Sequence, residues 1–372
     1  FDYVGKFEEE LIKFIGSKYA LLLSSGRQGL SLIIDYYSFP KGSEIILPAY
    51  TLKNLAFMIK EKGYAPVFVD INPQTYNIEA SLIEGKISKK TVMIIATHIF
   101  GMPCEIDKIL EIGRKHKIIV IEDCAHALGA RYKDKRTGTF GEASFFSLET
   151  SKPINTFGGG IVTTNDEGLK DYIKNETKKY LQPKVKLFIK VFSAIFEDIL
   201  IHSFIFSILS FLFYFKYTKI LVTHLYLLFH RKVNIKYFAY TNFQAFLGVL
   251  QLKDLDNRNK ILMDKIFQMR KYIQGPIDFQ RNLHGSTPAF YFNIIRINYP
   301  SWLIRKKLLR KGVDVGIEDE IEDNCVMYFE PEKISLYPVV EKCYNKLIQL
   351  PLSGGMDECM LKKIARVVNK CL

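Results

Sequence analysis

Short apolar runs and amphipathic segments alternate through the first half of the chain. The apolar runs fall at 19–25 (YALLLSS), 44–49, 65–71, 91–99, 118–125, 143–148 and 159–164. Each has the length of a buried strand. Segments between them, such as 107–117 (DKILEIGRKHK), carry apolar residues at helical spacing. This rhythm predicts α/β layering around a mostly parallel sheet. Beyond about 240, helical patterns over 243–274 and 302–311 and a strand pattern over 290–297 predict a smaller α+β domain.

Between these halves the pattern changes. Residues 199–215 (ILIHSFIFSILSFLFYF) contain no Asp, Glu, Lys or Arg, and a second apolar run covers 220–229. Lysines and arginines fringe them: Lys184, Lys186, Lys190, Lys216, Lys219, Arg231, Lys232 and Lys236. The chain therefore divides into 1–182 (large domain), 183–235 (apolar helical insertion) and 236–372 (small C-terminal domain).

Composition sharpens this division. The 372 residues suit two domains plus an appendage. Hydrophobic residues make up 48% and charged residues 24%, which excludes a wholly disordered chain. The net charge of +13 comes from dispersed basic residues without a nucleic-acid-binding motif, so no nucleic acid is expected as a partner. Six cysteines at irregular spacing, with no CxxC pair, argue against a zinc site and for a reducing compartment. The start, Phe1-Asp2-Tyr3, has no basic stretch followed by an apolar one. No signal peptide is expected there, and the absence of an initiator Met points to a trimmed start.

In α/β sheets, ligands gather beyond the carboxyl ends of the strands. After the run at 19–25 come Gly26, Arg27 and Gln28, leading into a helical pattern. A glycine turn into a helix N-terminus suits a phosphate, although a plain strand-to-helix turn reads the same way. After IIVIE come Asp123 and His126. A carboxylate ending a buried strand needs a cationic partner or a capping role, and a lone histidine is more often simply packed. After ASFF come Ser147 and Lys152, ahead of the triplet Gly158-Gly159-Gly160. Lys152 reads alone as a loop lysine or as a Schiff-base lysine with a lowered pKa. Together the three features are the handles of pyridoxal 5′-phosphate (PLP): a helix N-terminus for phosphate, an acid for the pyridinium nitrogen, and a lysine for the aldehyde.

The chain resembles the DegT/DnrJ/StrS aminotransferases, the sugar branch of the fold-type I PLP-dependent transferases. The resemblance is carried by FEEELIKFIGSKYALLLSSG (7–26), EIILPAYT (44–51), APVFVDINPQTYNI (65–78), THIFGMPCEIDKI (97–109), IEDCAHALGARY (121–132), GTFGEASFFSLETSK (138–152), GGGIVTTND (158–166), TNFQAFLGVLQLKDLDNR (241–258) and LIQLPLSGGM (347–356). It implies that Lys152 is catalytic, anchoring the aldehyde and shuttling a proton. Asp123 would hold the pyridinium, His126 would stand near the ring oxygen where relatives have Gln, and Ser147 with the amides around Gly26, Arg27 and Gln28 would bind the phosphate. No metal is implied. The implied activity is transfer of an amino group, with glutamate as donor, to a keto-sugar that is nucleotide-linked or polyprenyl-linked, by a homodimer. Relatives that have His in place of the lysine are dehydratases, and this chain keeps Lys152. Arg27, Leu52, Gly158 and the stretch Tyr237–Ala239 depart from the family pattern, where Asn usually reaches the partner's phosphate. These departures leave room for a second reading, an inactive membrane scaffold or regulator.

The insertion adds an expectation of its own. Seventeen helical residues span about 25 Å, short of a bilayer core of about 30 Å. A single crossing would also place Lys152 and the small domain on opposite sides of a membrane. An interfacial contact through 185–232 fits better, with the basic fringe on anionic headgroups. A helical pair packed on the body or on a partner is the alternative. The expected location is cytoplasmic, peripheral or monotopic at the inner face of the membrane.

Overall fold

The computed structural model describes residues 1–181, 237–290, 292–315 and 323–372, with Leu187, Val191 and Phe192. The apolar segment 183–235 therefore lies almost wholly outside the described residues. Among the described residues, no helix is long and apolar enough to cross a membrane.

All seven apolar runs of the first half become strands of one sheet. They are β1 (Tyr19–Leu23), β2 (Glu44–Pro48), β3 (Ala65–Val69), β4 (Thr91–Thr97), β5 (Ile119–Asp123), β6 (Ala143–Ser147) and β7 (Gly160–Thr164). Their spatial order is β1-β7-β6-β5-β4-β2-β3. The pairs β2–β3, β2–β4, β4–β5 and β5–β6 are parallel, and β7 runs antiparallel between β6 and β1. These strands read as near-continuous apolar runs because helices cover both faces of the sheet. The helices are α1 (Tyr3–Ile15), α2 (Gly26–Tyr37), α3 (Lys53–Glu61), α4 (Ile106–His116) and α5 (Glu167–Thr177).

The helical pattern predicted over 243–274 is broken in the structure into α6 (Asn242–Leu252) and α7 (Leu255–Tyr272). The turn at Lys253 and Asp254 lets Leu252 and Leu255 both enter the core shared by α1 and the sheet. Arg258 Nη2 donates to the Gln251 carbonyl exposed by the break (2.9 Å). Local periodicity cannot reveal such a turn, because the apolar spacing continues through it.

The second domain has a three-stranded antiparallel sheet of β8 (Ile277–Phe279), β9 (Asn293–Ile297) and β10 (Leu347–Leu350). The strand pattern at 290–297 is thus realised over its last five residues. Helices α8 (Ser301–Arg310), α9 (Pro338–Tyr344) and α10 (Glu358–Asn369) accompany it. A separate core of Ile295, Ile304, Leu308, Ile348, Leu361 and Ala365 lies between the sheet, α8 and α10. Helix α6 packs instead on α1, burying Ala245 and Val249 against Phe7, Leu11 and Ile15. We propose that the small domain starts after α6, with α6 lent to the large domain.

Candidate active site

Three strand ends and one helix N-terminus converge at one edge of the sheet. Leu23 and Ser147 flank Gly160 in register, two strand spacings apart. One residue further, Ser25 and Gly159 form an isolated bridge. Asp123 ends β5, in register with Phe145 on one side and Thr97 on the other. The sequence-predicted residues Gly26, Arg27, Gln28, Asp123, Ser147 and Lys152 all attach to this edge.

The turn from β1 into α2 is tight, and glycine is required at Gly160 to make room for it. A Cβ there would collide with the Ser25 and Gly26 backbone. Gly160→Ala should therefore push α2 away from β7. The expected cost is about 1–3 kcal/mol of stability, with a larger loss of affinity for a phosphate-bearing ligand. Thermal melts with and without that ligand check both effects.

Ser25 caps α2 by accepting the Gln28 N–H (3.1 Å). This corrects the expectation for Gln28, whose amide is already taken. The first-turn amides of Gly26 and Arg27 have no intrahelical carbonyl to pair with. Gln28 contributes through its side chain instead. Its Oε1 accepts from Ser24 N and Ser24 Oγ (2.8 and 2.7 Å), while its buried Nε2 has no hydrogen-bond partner among the described residues. An orphaned buried donor beside a helix N-terminus fits an anionic ligand. Arg27 is half-buried on the first turn. Its charge reaches Tyr237, which bonds to Ser31 one turn along α2.

Asp123 is buried, and Ala125 N–H donates to its Oδ1 (3.0 Å). Burial pushes its carboxyl up to about 6; that amide, Lys152 and His98 pull the other way. So the carboxylate does tie a turn, as a capping role required, yet it remains short of cationic compensation. A pyridinium nitrogen would supply that cation, which is the chemistry the residues present fit.

His126 is buried between Phe100, stacked at 6.3 Å, and Phe292, edge-on at 5.0 Å. Phe100 N–H donates to its Nδ1 (3.4 Å). Burial, and then the Lys152 charge, hold its pKa well below the ordinary histidine range. The ring is therefore neutral, with its proton on Nε2. Lys152 is half-buried, and its amide closes a turn on the Glu149 carbonyl (2.9 Å). Its charge acts on both Asp123 and His126, so the structure brings these three together.

Sequence reasoning missed the support beneath them. Glu122, fully buried, accepts from His98 Nε2 (3.0 Å) and from the amides of Gly138 (2.8 Å), Phe140 (2.7 Å) and Gly141 (3.0 Å). Cys104 N–H occupies His98 Nδ1 (3.1 Å), and His98 N–H donates to the Asp123 carbonyl (3.0 Å). His98, Glu122 and Cys124 lie within ligand distance of one another, and the hydrogen bonds made by Glu122 and His98 brace the end of β5. An acidic residue inside the run IIVIE was the available signal.

A strand-end acid, a buried histidine and a loop lysine stand beside a helix N-terminus in a mostly parallel sheet, and their chemistry fits a small anionic ligand with a cationic ring. Residues 1–183 match the model of the DegT/DnrJ/EryC1/StrS aminotransferase family. It is 39% identical over 170 residues to a GDP-perosamine synthase of Escherichia coli O157:H7, covering 46% of this chain and 47% of that protein. It is 38% identical over 167 residues to the dTDP-3-amino-3,6-dideoxy-alpha-D-galactopyranose transaminase of Aneurinibacillus thermoaerophilus, covering 45% and 46%. These matches span about half the length of the curated relatives. The fold carries further: the aminotransferase from Psychrobacter cryohalolentis superposes with a TM-score of 0.77 at 21% identity, over 100% of this chain and 91% of that one.

Proposed function

We propose that the chain is a PLP-dependent aminotransferase that converts a nucleotide-linked keto-sugar to an amino-sugar, with glutamate as donor, in the making of surface polysaccharide. What carries this reading is that the Lys152 charge acts on both buried Asp123 and buried His126, at strand ends beside the first turn of α2. The likeness of residues 1–183 to sugar aminotransferases supports it.

When bound, PLP supplies an aldehyde to take up the amine and a ring that withdraws electrons from the donor's α-carbon. Lys152 Nζ would hold that aldehyde and would move a proton to and from the donor's reacting carbon. Asp123 holds a proton at the ring nitrogen. His126 Nε2–H donates toward the ring oxygen. Gly26 and Arg27 amides, Gln28 Nε2, Ser147 and the Arg27 guanidinium bind the phosphate. The test is an assay with glutamate and a nucleotide-linked keto-sugar. Amino-sugar and 2-oxoglutarate in equal amounts support the reading, and their absence in cofactor-loaded protein contradicts it.

We also propose that the enzyme is a homodimer. Helix α6 carries no charged residue and leaves Phe243, Phe246 and Leu250 exposed along one stripe, which a second copy would cover. A cytoplasmic location at the inner face of a membrane, with contact through 185–232, completes the reading. It raises a polyprenyl-linked keto-sugar as the other substrate form. It rests on the lysine-fringed apolar composition and on the neck of the excursion, where Ala239 N–H donates to the Leu181 carbonyl (3.0 Å). Because the two ends meet, a variant lacking 185–232 should fold and stay dimeric. It should leave the membrane fraction while still turning over the nucleotide-linked sugar. Unchanged fractionation, with loss of the dimer, would assign the segment to subunit packing.

A further inference from the structure

The loop that carries Lys152 leaves β6 at Leu148 and returns to β7 through Gly158 and Gly159. Thr156 N–H and Gly158 N–H both donate to the Leu148 carbonyl (3.1 and 3.2 Å), which closes the neck of the loop. On the return arm, Phe157, Gly158 and Gly159 have φ of 57°, 109° and 128°. This left-handed run leaves the Thr156 and Gly158 carbonyls in buried surroundings, where they need donors.

Those donors come from α6, more than 80 residues later. Gln244 Nε2 donates to the Thr156 carbonyl (3.1 Å) and to the Gly158 carbonyl (2.9 Å). Two turns along the same face, Gln251 accepts the Asn155 N–H (3.0 Å) and donates to the Asn155 carbonyl (2.7 Å). Before the helix, Tyr240 O–H donates to Thr156 Oγ1 (2.8 Å), and Thr156 Oγ1 donates to the Gly158 carbonyl (2.7 Å). Tyr240 also fills the space left open at Gly159, where a Cβ would strike its ring.

We infer that Gln244 and Gln251, with Tyr240, are positioning residues that splint the Lys152 loop and set where its Nζ stands relative to Asp123 and His126. The inference rests on the reading of Lys152 as the cofactor's anchor. Gln244 has a second task that makes it testable. Its Oε1 accepts from Thr241 N and Thr241 Oγ1 (3.2 and 3.0 Å) in a capping box that starts α6. A glutamate at that position serves a capping box equally well but has no N–H to give the loop. Gln244→Glu therefore removes the splint and keeps the helix cap. Gln251→Leu removes the outer clamp at the far end of α6 and tests the same idea if Gln244→Glu folds poorly.

Both variants should show unchanged helix content. Amide exchange over 153–159, read by mass spectrometry on the full chain, should rise at least tenfold, with exchange elsewhere in β6 and β7 unaltered. In cofactor-loaded protein, kcat should fall about tenfold or more while KM for the keto-sugar stays within twofold, and borohydride trapping at Lys152 should slow. Wild-type exchange over 153–159 in a folded variant would overturn the splint, as would a fall in kcat matched by a general rise in exchange. Failure of wild-type protein to take up PLP at Lys152 would sink the functional reading instead, and the exchange result would still judge the splint.

Discussion

Lys152→Ala should abolish amino-group transfer, with a loss of at least about 10³-fold, because on the proposed reading one Nζ would both anchor the cofactor and move the proton. The variant should still fold. The turn at Lys152 is closed by its backbone amide on Glu149, which alanine keeps. The electrostatic consequences give a second readout. Lys152 lowers the pKa of both Asp123 and His126. Without it the Asp123 carboxyl should titrate higher and the His126 ring should protonate more readily. Lys152→Arg restores the charge without a nucleophilic amine, so it should recover those titrations and none of the activity. Turnover together with histidine resonances followed against pH checks both halves.

Asp123→Asn should lose activity by a similar factor while making the cofactor-free protein more stable at neutral pH. Burial raises the Asp123 carboxyl from 3.8 to about 6, so the folded state holds that proton more tightly than the unfolded chain. Its contribution is present below about pH 4 and is lost as pH rises through 6, a difference of about 3 kcal/mol. Asparagine cannot ionise and escapes that loss. Melts of the two cofactor-free proteins should coincide near pH 4 and separate above pH 6, with the variant higher. His126 runs the other way in both proteins: its pKa is depressed, so its stabilising contribution is present above 6.5 and is lost as pH falls. With PLP added the order should reverse, because the carboxylate then pairs with the ring cation and asparagine does not.

The site was legible in sequence to the extent that its residues sit at the ends of buried strands. Runs such as 118–125 and 143–148 are apolar because helices cover both faces of the sheet. Polar residues at their carboxyl ends, Asp123 and Ser147, therefore stood out as costly unless used. The turn at Gly26 was visible as a glycine before a helical pattern, but the taking of the Gln28 amide by Ser25 was not, since a cap depends on φ and ψ. The break at Lys253 and Asp254 was hidden by continuous apolar spacing. Contacts from Gln244 and Gln251 to the Lys152 loop cross 86 or more residues, a span that no local pattern encodes. The role expected of 183–235 came from composition alone.

The central claim is that Lys152 is the one lysine that captures the cofactor. Incubating the chain with PLP, reducing with borohydride and locating the adduct by peptide mass mapping tests this. One stoichiometric adduct is expected on Lys152, absent from Lys152→Ala and reduced in Asp123→Asn. An adduct spread over exposed lysines, or concentrated on a different lysine and persisting in Lys152→Ala, would contradict it.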